Sequence, residues 1–60
     1  MILIDIVENN YIIKRYYVQS AIVDKKLKRV SFFDGRQWRS IRSNNIRSIS
    51  LEKDKISVKI

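Results

Sequence analysis

The sequence predicts a small all-β protein in which five or six antiparallel strands close into a barrel or roll. Isoleucine, valine and tyrosine are dense in the first half of the chain, and these residues fit pleated sheet better than helix. An Asp-Gly pair at residues 34–35 separates two β-rich runs, and the last five residues alternate between apolar and polar. Closure into a barrel would remove the exposed edges of such short strands.

Length and composition bound what the chain can be. It has 60 residues with one glycine and no proline, cysteine or histidine, which predicts one small basic β domain over 1–60. Without cysteine there is no disulfide framework or thiolate nucleophile, and without histidine the commonest transition-metal ligand is missing. We therefore expect no cofactor and no metal.

The first half predicts two β segments. Residues 1–7 form a strand with Ile2, Ile4 and Ile6 on one face, and residues 8–10 form a turn, because asparagine tolerates left-handed backbone angles. The stretch 11–24 is apolar at both parities, which is typical of a bent strand that serves two faces of a barrel. The alternative is an α+β fold with a helix over about 11–27, since residues spaced by three and four positions also form an apolar stripe there. We expect the three tyrosines of this stretch to be half-buried wall residues: Tyr11, Tyr16 and Tyr17.

The second half predicts strands over 27–33 and 36–42 joined by a two-residue turn at Asp34-Gly35. That register turns Val30, Phe32 and Ile41 toward the core and puts Phe33 opposite Arg36. A three-residue loop with a bulge would instead move Trp38 beside Val30 and Phe32. Further along, we expect a turn at 43–45, a strand over 47–51 with Ile49 and Leu51 on one face, a turn at 52–55 and a strand over 56–60.

Residues 30–51 combine a Phe-Asp-Gly hairpin with a polar turn that precedes another strand. In this layout the chain resembles the SH3-like and Sm-like small barrels. The resemblance implies a closed or rolled sheet, and we assign no functional residues from it.

The charge of the chain is strongly positive. Thirteen Lys/Arg against six Asp/Glu give a formal net charge of +7. The segment from Gly35 to Leu51 has four arginines and no acid, and a second basic cluster occupies residues 25–29. Guanidinium groups bind phosphate, and an indole can stack on bases. The predicted nucleic-acid-binding residues are Lys25, Lys26, Lys28, Arg29, Arg36, Trp38, Arg39, Arg42 and Arg47.

The function expected from this pattern is binding of backbone phosphates largely without sequence specificity, with duplex DNA slightly preferred over RNA. We expect Trp38, the only tryptophan, to be packed in the core, with stacking on a base as the alternative. We expect no enzyme, because most of the acids lie at turns and no serine has an obvious base. The alternative function is a small protein-interaction module, a viral or plasmid-type adaptor or inhibitor, that binds an acidic surface of a host protein.

The expected location is cytoplasmic. The apolar start lacks a basic segment, and no run reaches the ~18 apolar residues of a membrane span. Lys59 is the only charged residue of the terminal strand that would oppose pairing of its edge with another chain. This pattern predicts a homodimer through the C-terminal strand.

Overall fold

The computed structural model describes residues 1–50 and 54–60, and it confirms the all-β class. Across these ranges there is no helix, and so none that is long and apolar enough to cross a membrane. The described residues form seven strands: β1 (Ile2–Glu8), β2 (Tyr11–Val18), β3 (Ala21–Asp24), β4 (Arg29–Phe33), β5 (Trp38–Arg42), β6 (Asn45–Ser50) and β7 (Asp54–Lys59).

The strands form two small sheets whose inner faces share one core. One sheet has the strand order β2-β1-β7-β6 and the other the order β3-β4-β5. The pairing of β1 with β7 is parallel, so the first sheet is mixed rather than wholly antiparallel as expected. The second sheet is antiparallel throughout. The arrangement is consistent with a small β-barrel or roll.

The first hairpin agrees with its prediction. Ile4 and Ile6 are buried on the inner face of β1, and Ile2 is half-buried beside them. Asn9 and Asn10 have φ angles of 52° and 67°, the positive values that the commonest two-residue hairpin turn requires at both of its positions. The chain therefore reverses tightly and pairs β2 against β1.

The stretch 11–24 is extended, so the helix over 11–27 is wrong. It divides into β2 and β3, which belong to different sheets and are separated by residues 19–20. Tyr16 is half-buried as expected, but Tyr11 and Tyr17 are exposed. Tyr17 points to the opposite side of β2 from Tyr16, and Tyr11 lies at the start of the strand opposite the exposed Glu8.

The C-terminal strand β7 is a central strand. It pairs in parallel with β1 and antiparallel with β6, and Ile56 and Val58 point into the core. The predicted docking edge for a homodimer is therefore wrong, because both edges of this strand are already paired. The composition of a strand shows which charged residues would oppose edge pairing, but it does not show which strands become its neighbours.

Three smaller expectations concern the chain around β6. Ser43 and Asn44 connect β5 to β6 as predicted, and the strand begins at Asn45, earlier than expected. Asp54 and Lys55, expected in a turn, begin β7. Residues 51–53 lie outside the described residues, so the predicted shared face of Ile49 and Leu51 stays a prediction.

The core contains side chains from both sheets. Phe32 on β4 is fully buried, and its ring centroid lies 4.8 Å from that of Tyr16 on β2. This contact joins the two sheets, because each ring belongs to a different one. The buried hydrophobic residues are Ile4, Ile6, Val18, Val30, Phe32, Ile56 and Val58.

Truncation of the central aromatic ring tests this core. We expect Phe32→Ala to lower the free energy of unfolding by about 3–5 kcal/mol, because it removes a buried ring and leaves a cavity. Phe33→Ala, its exposed neighbour in sequence, is the matched control and should cost about 1 kcal/mol or less. Urea unfolding followed by circular dichroism measures both. Equal costs would contradict the assignment of these residues to opposite faces.

Candidate functional site

The hairpin formed by β4 and β5 positions most of the predicted site. Phe33 pairs with Trp38, so the loop spans the four residues 34–37 rather than the two expected. The register has moved by two positions, and a shift of two keeps every side chain on its predicted face. Val30 and Phe32 accordingly lie in the core. The expectation that Trp38 is packed there is wrong, because its side chain lies on the opposite face and is 60% exposed.

Asp34 explains the longer loop. Its Oδ1 accepts the backbone N–H groups of Arg36 at 2.8 Å and Gln37 at 2.9 Å, and its own N–H donates to the Gln37 carbonyl at 3.0 Å. Its Oδ2 accepts a hydrogen bond from the Arg39 guanidinium at 2.5 Å. The two backbone donors, with Arg39, lower the pKa of Asp34 to about 2. Gly35, with a φ of 101°, supplies the left-handed position that the loop requires.

We call the outward side of the second sheet the ribbon face. Residues that pair directly across two strands point to the same side of a sheet. Three alternate pairs of β4 and β5 therefore lie on this side together, from a basic end through two serines to an aromatic end. The pairs are Arg29–Arg42, Ser31–Ser40 and Phe33–Trp38.

The basic end is built on two arginines that lie directly opposite each other. Like charges in such a pair repel, and neither Arg29 nor Arg42 has a carboxylate within 4 Å among residues 1–50 and 54–60. Asp24 is the partner of Arg29 on β3, but its Oδ1 accepts the N–H of Leu27 at 3.0 Å and shapes the turn. The Arg29 Nε is buried without a hydrogen-bond partner in the described part of the chain.

The lysine turn extends this basic end. Lys25, Lys26 and Lys28 are exposed in the turn between β3 and β4, immediately before Arg29. The Lys28 carbonyl accepts the N–H of Ser43 at 2.8 Å, and this bond holds the turn beside the end of β5. Two basic clusters that are separate in sequence are thus adjacent in the fold.

The aromatic end carries two exposed rings. The centroids of Phe33 and Trp38 lie 5.9 Å apart with the rings inclined by 68°, an edge-to-face pair. Ile22 lies on the same face beside Ser31 and is 62% exposed. Next to Phe33, an open groove of about 280 Å³ is lined in part by Tyr17. Exposed apolar side chains gathered in this way are typical of a binding surface.

The structure separates two predicted site residues from the rest. The Arg39 guanidinium is held by Asp34 and lies 5.8 Å from the centre of the Tyr16 ring. Arg47 pairs with Ser57 on the other sheet, away from the ribbon face. Seven of the predicted residues remain along the ribbon and its two ends: Lys25, Lys26, Lys28, Arg29, Arg36, Trp38 and Arg42.

The predicted binding residues did not include Phe33 or Ile22, although the two-residue register already placed Phe33 on the same side of the hairpin as Arg29 and Trp38. The signal for Phe33 was present, because it has the same strand parity as Ser31 and Arg29 and so shares their face. Ile22 carried no such signal, because β3 was predicted only as the end of one bent strand over 11–24 with apolar residues on both faces.

The outer face of the first sheet neutralises part of its charge internally. Asp5 is only 1% exposed, and its two oxygens accept hydrogen bonds from the Arg15 guanidinium at 2.7 Å and 3.2 Å. Lys55 approaches the same carboxylate at 3.4 Å. The hydrogen bond from Arg15, followed by the other contacts with Arg15 and Lys55, lowers the pKa of Asp5 against the opposing effect of burial. The arginine pair of the ribbon face has no such partner among the described residues.

Comparison of the chain with protein-family models, curated proteins and solved structures finds no match. Within residues 1–50 and 54–60, no group of three or more acidic side chains is arranged to hold a metal ion.

The Asp34 loop makes stability depend on acidity in a defined range. The pKa of this carboxyl is about 2 in the folded protein, against an ordinary value of 3.8. Its stabilising contribution is therefore complete above pH 4 and is lost as the pH falls from about 4 to 2. We expect Asp34→Asn to flatten the fall in urea midpoint over this range, leaving the part due to Asp5.

Arg36→Ala is the matched control for this loop, since it keeps the backbone N–H that Asp34 accepts. Its urea midpoint should fall with acidity as steeply as that of the unmodified protein. An Asp34→Asn variant with the full acid dependence would show that the loop bonds do not stabilise the fold.

Proposed function

We propose that this protein binds nucleic acid through the ribbon face, with the backbone phosphates held at the basic end. The observation that carries the proposal is the directly opposed pair Arg29–Arg42, which has no carboxylate partner in the described residues and adjoins the lysine turn. A phosphate group placed between two guanidinium groups would relieve their repulsion and accept bidentate hydrogen bonds from them.

The other groups of the ribbon face suit the same ligand. Ser31 and Ser40 hydroxyls, 3.4 Å apart, can donate to phosphate or sugar oxygens. Phe33 and Trp38 offer ring surfaces on which bases can stack. The net charge of +7 would attract a polyanion from a distance and speed its encounter.

The proposed binding is largely independent of base sequence, because charged side chains that hold phosphates contact a group common to every sequence. The preference for DNA over RNA, the cytoplasmic location and self-association stay predictions from the sequence.

The dependence of affinity on salt tests the proposal. Each phosphate that the protein neutralises contributes roughly 0.7–0.9 to the slope of log affinity against log salt concentration. We expect the double variant Arg29→Gln with Arg42→Gln to bind more weakly at low salt and to reduce the slope by about 1.5. Fluorescence anisotropy of a labelled oligonucleotide, measured over a series of salt concentrations, gives both quantities.

Arg47→Gln is the matched control, because it removes one arginine from the other sheet. Its slope should stay close to that of the unmodified protein. A flat salt dependence of the unmodified protein, or an Arg47 variant that loses as much affinity as the double variant, would contradict the proposal.

One observation favours the alternative of a protein-interaction module. The edge strand β2 exposes Ile12 and Ile13 beside Lys14 and Arg15, so its outer edge could pair with a strand of an acidic partner. Capture from lysate with and without nuclease separates the two functions. A defined protein that is retained after nuclease treatment, and lost with Ile12→Lys, would support the module.

A further inference from the structure

We infer that the ligand of the ribbon face is a single-stranded polynucleotide, with one base stacked on Trp38 and the adjoining backbone running toward Arg29 and Arg42. The inference rests on the proposed nucleic-acid function and deepens it by naming the form of the ligand. It reverses the slight preference for duplex DNA that the composition suggested.

The first observation in support of a stacked base is the exposure of the Trp38 indole. Trp38 is 60% exposed and Phe33 is 43% exposed, although the two rings contact each other edge to face. Leaving a large aromatic ring in water costs free energy, and here two such rings point away from a small hydrophobic core. Each ring keeps an exposed side that an unpaired base can cover.

The preference for a single strand follows from which bases have a free face on which to stack. In a duplex each base is already stacked between its neighbours, so a base could reach Trp38 only after unstacking, at a cost of a few kcal/mol per step. The bases of a single strand present their faces without that cost, and base–aromatic stacking is the usual recognition mode for such strands. Two exposed aromatic rings are therefore better matched to a single strand.

The spacing along the ribbon fits a short length of strand. The pair Arg29–Arg42 and the pair Phe33–Trp38 are separated by four residues on each strand, which is about 14 Å at ~3.4 Å per residue. Between them lie the two serine hydroxyls, and beyond the aromatic end lies Arg36 in the loop. Charged groups at both ends with rings between them form a track for a few nucleotides.

An acidic protein would satisfy the arginines equally well, but it would leave the rings without a counterpart of matching shape. The combination of guanidinium groups with open ring faces is what favours a polynucleotide. Binding of an acidic protein in place of any oligonucleotide is an outcome of the test below.

The experiment uses the fact that Trp38 is the only tryptophan of the chain. Its intrinsic fluorescence therefore reports directly on this position. The probes are a thymidine oligonucleotide of about 12 nucleotides, the uridine RNA of the same length and a DNA duplex of the same length, a size within the range that small β domains bind. We expect saturable quenching by the single strands, and weaker binding with less quenching for the duplex.

Variants followed by fluorescence anisotropy complete the test. Trp38→Ala should weaken binding of the single strands by about 5- to 150-fold, which corresponds to the 1–3 kcal/mol of one stacked base. Trp38→Phe should recover most of the loss, because it keeps an aromatic face. Tyr11→Ala, which removes a 75% exposed ring from the first sheet, is the matched control and should bind as the unmodified protein does. Circular dichroism confirms that each variant is folded.

The outcomes separate this inference from the proposed function. Duplex binding that is at least as tight as single-strand binding, or a folded Trp38→Ala variant with unchanged affinity for the single strands, would overturn the inference and leave phosphate binding in place. Failure to bind any of the three probes at low salt, including the case in which only an acidic protein binds, would overturn the proposed function itself. Equal or unequal affinities for the DNA and RNA single strands both agree with the inference.

Discussion

The hydrogen bonds that converge on the Asp34 carboxylate are the constraint on which the ribbon face depends. They close a four-residue loop, and the loop length sets the register of β4 against β5. A slip of one position would turn Ile41 outward and bring Trp38, Ser40 and Arg42 toward the core in its place. One half-buried acidic side chain at a turn thus decides which residues of β5 face the core and which face the solvent.

Much of the fold could be predicted because alternation is a local property. Ile4 and Ile6 in β1, and Val58 in β7, lie in the core where the period of two placed them. The Asn9-Asn10 turn was equally local, since it depends on the backbone tolerance of its own two residues. The faces of the β4–β5 hairpin were correct even though its loop is longer than expected, because the error was an even number of positions.

The remaining features depend on contacts between residues distant in sequence. Nothing in the composition of β7 indicates that it lies between β1 and β6, and nothing local pairs Asp5 with Arg15. The same limit applies to the arginines. Arg39 and Arg42 are alike in sequence, but the first is taken by Asp34 and the second faces another arginine. The separation of bound from available charge is a property of the folded arrangement.

The parallel pairing of β1 with β7 has a consequence for the kinetics of folding. β1 and β7 are the two central strands of the first sheet, and they are far apart in sequence. The fold therefore combines short local hairpins with one pairing of very high sequence separation. Contacts of this kind raise the contact order and slow folding, because the chain loses loop entropy before any stabilising contact is made. The β4–β5 hairpin, closed by its own loop, is free of that delay. The ribbon face can therefore form early, whereas the first sheet is complete only after the distant strands β1 and β7 have met.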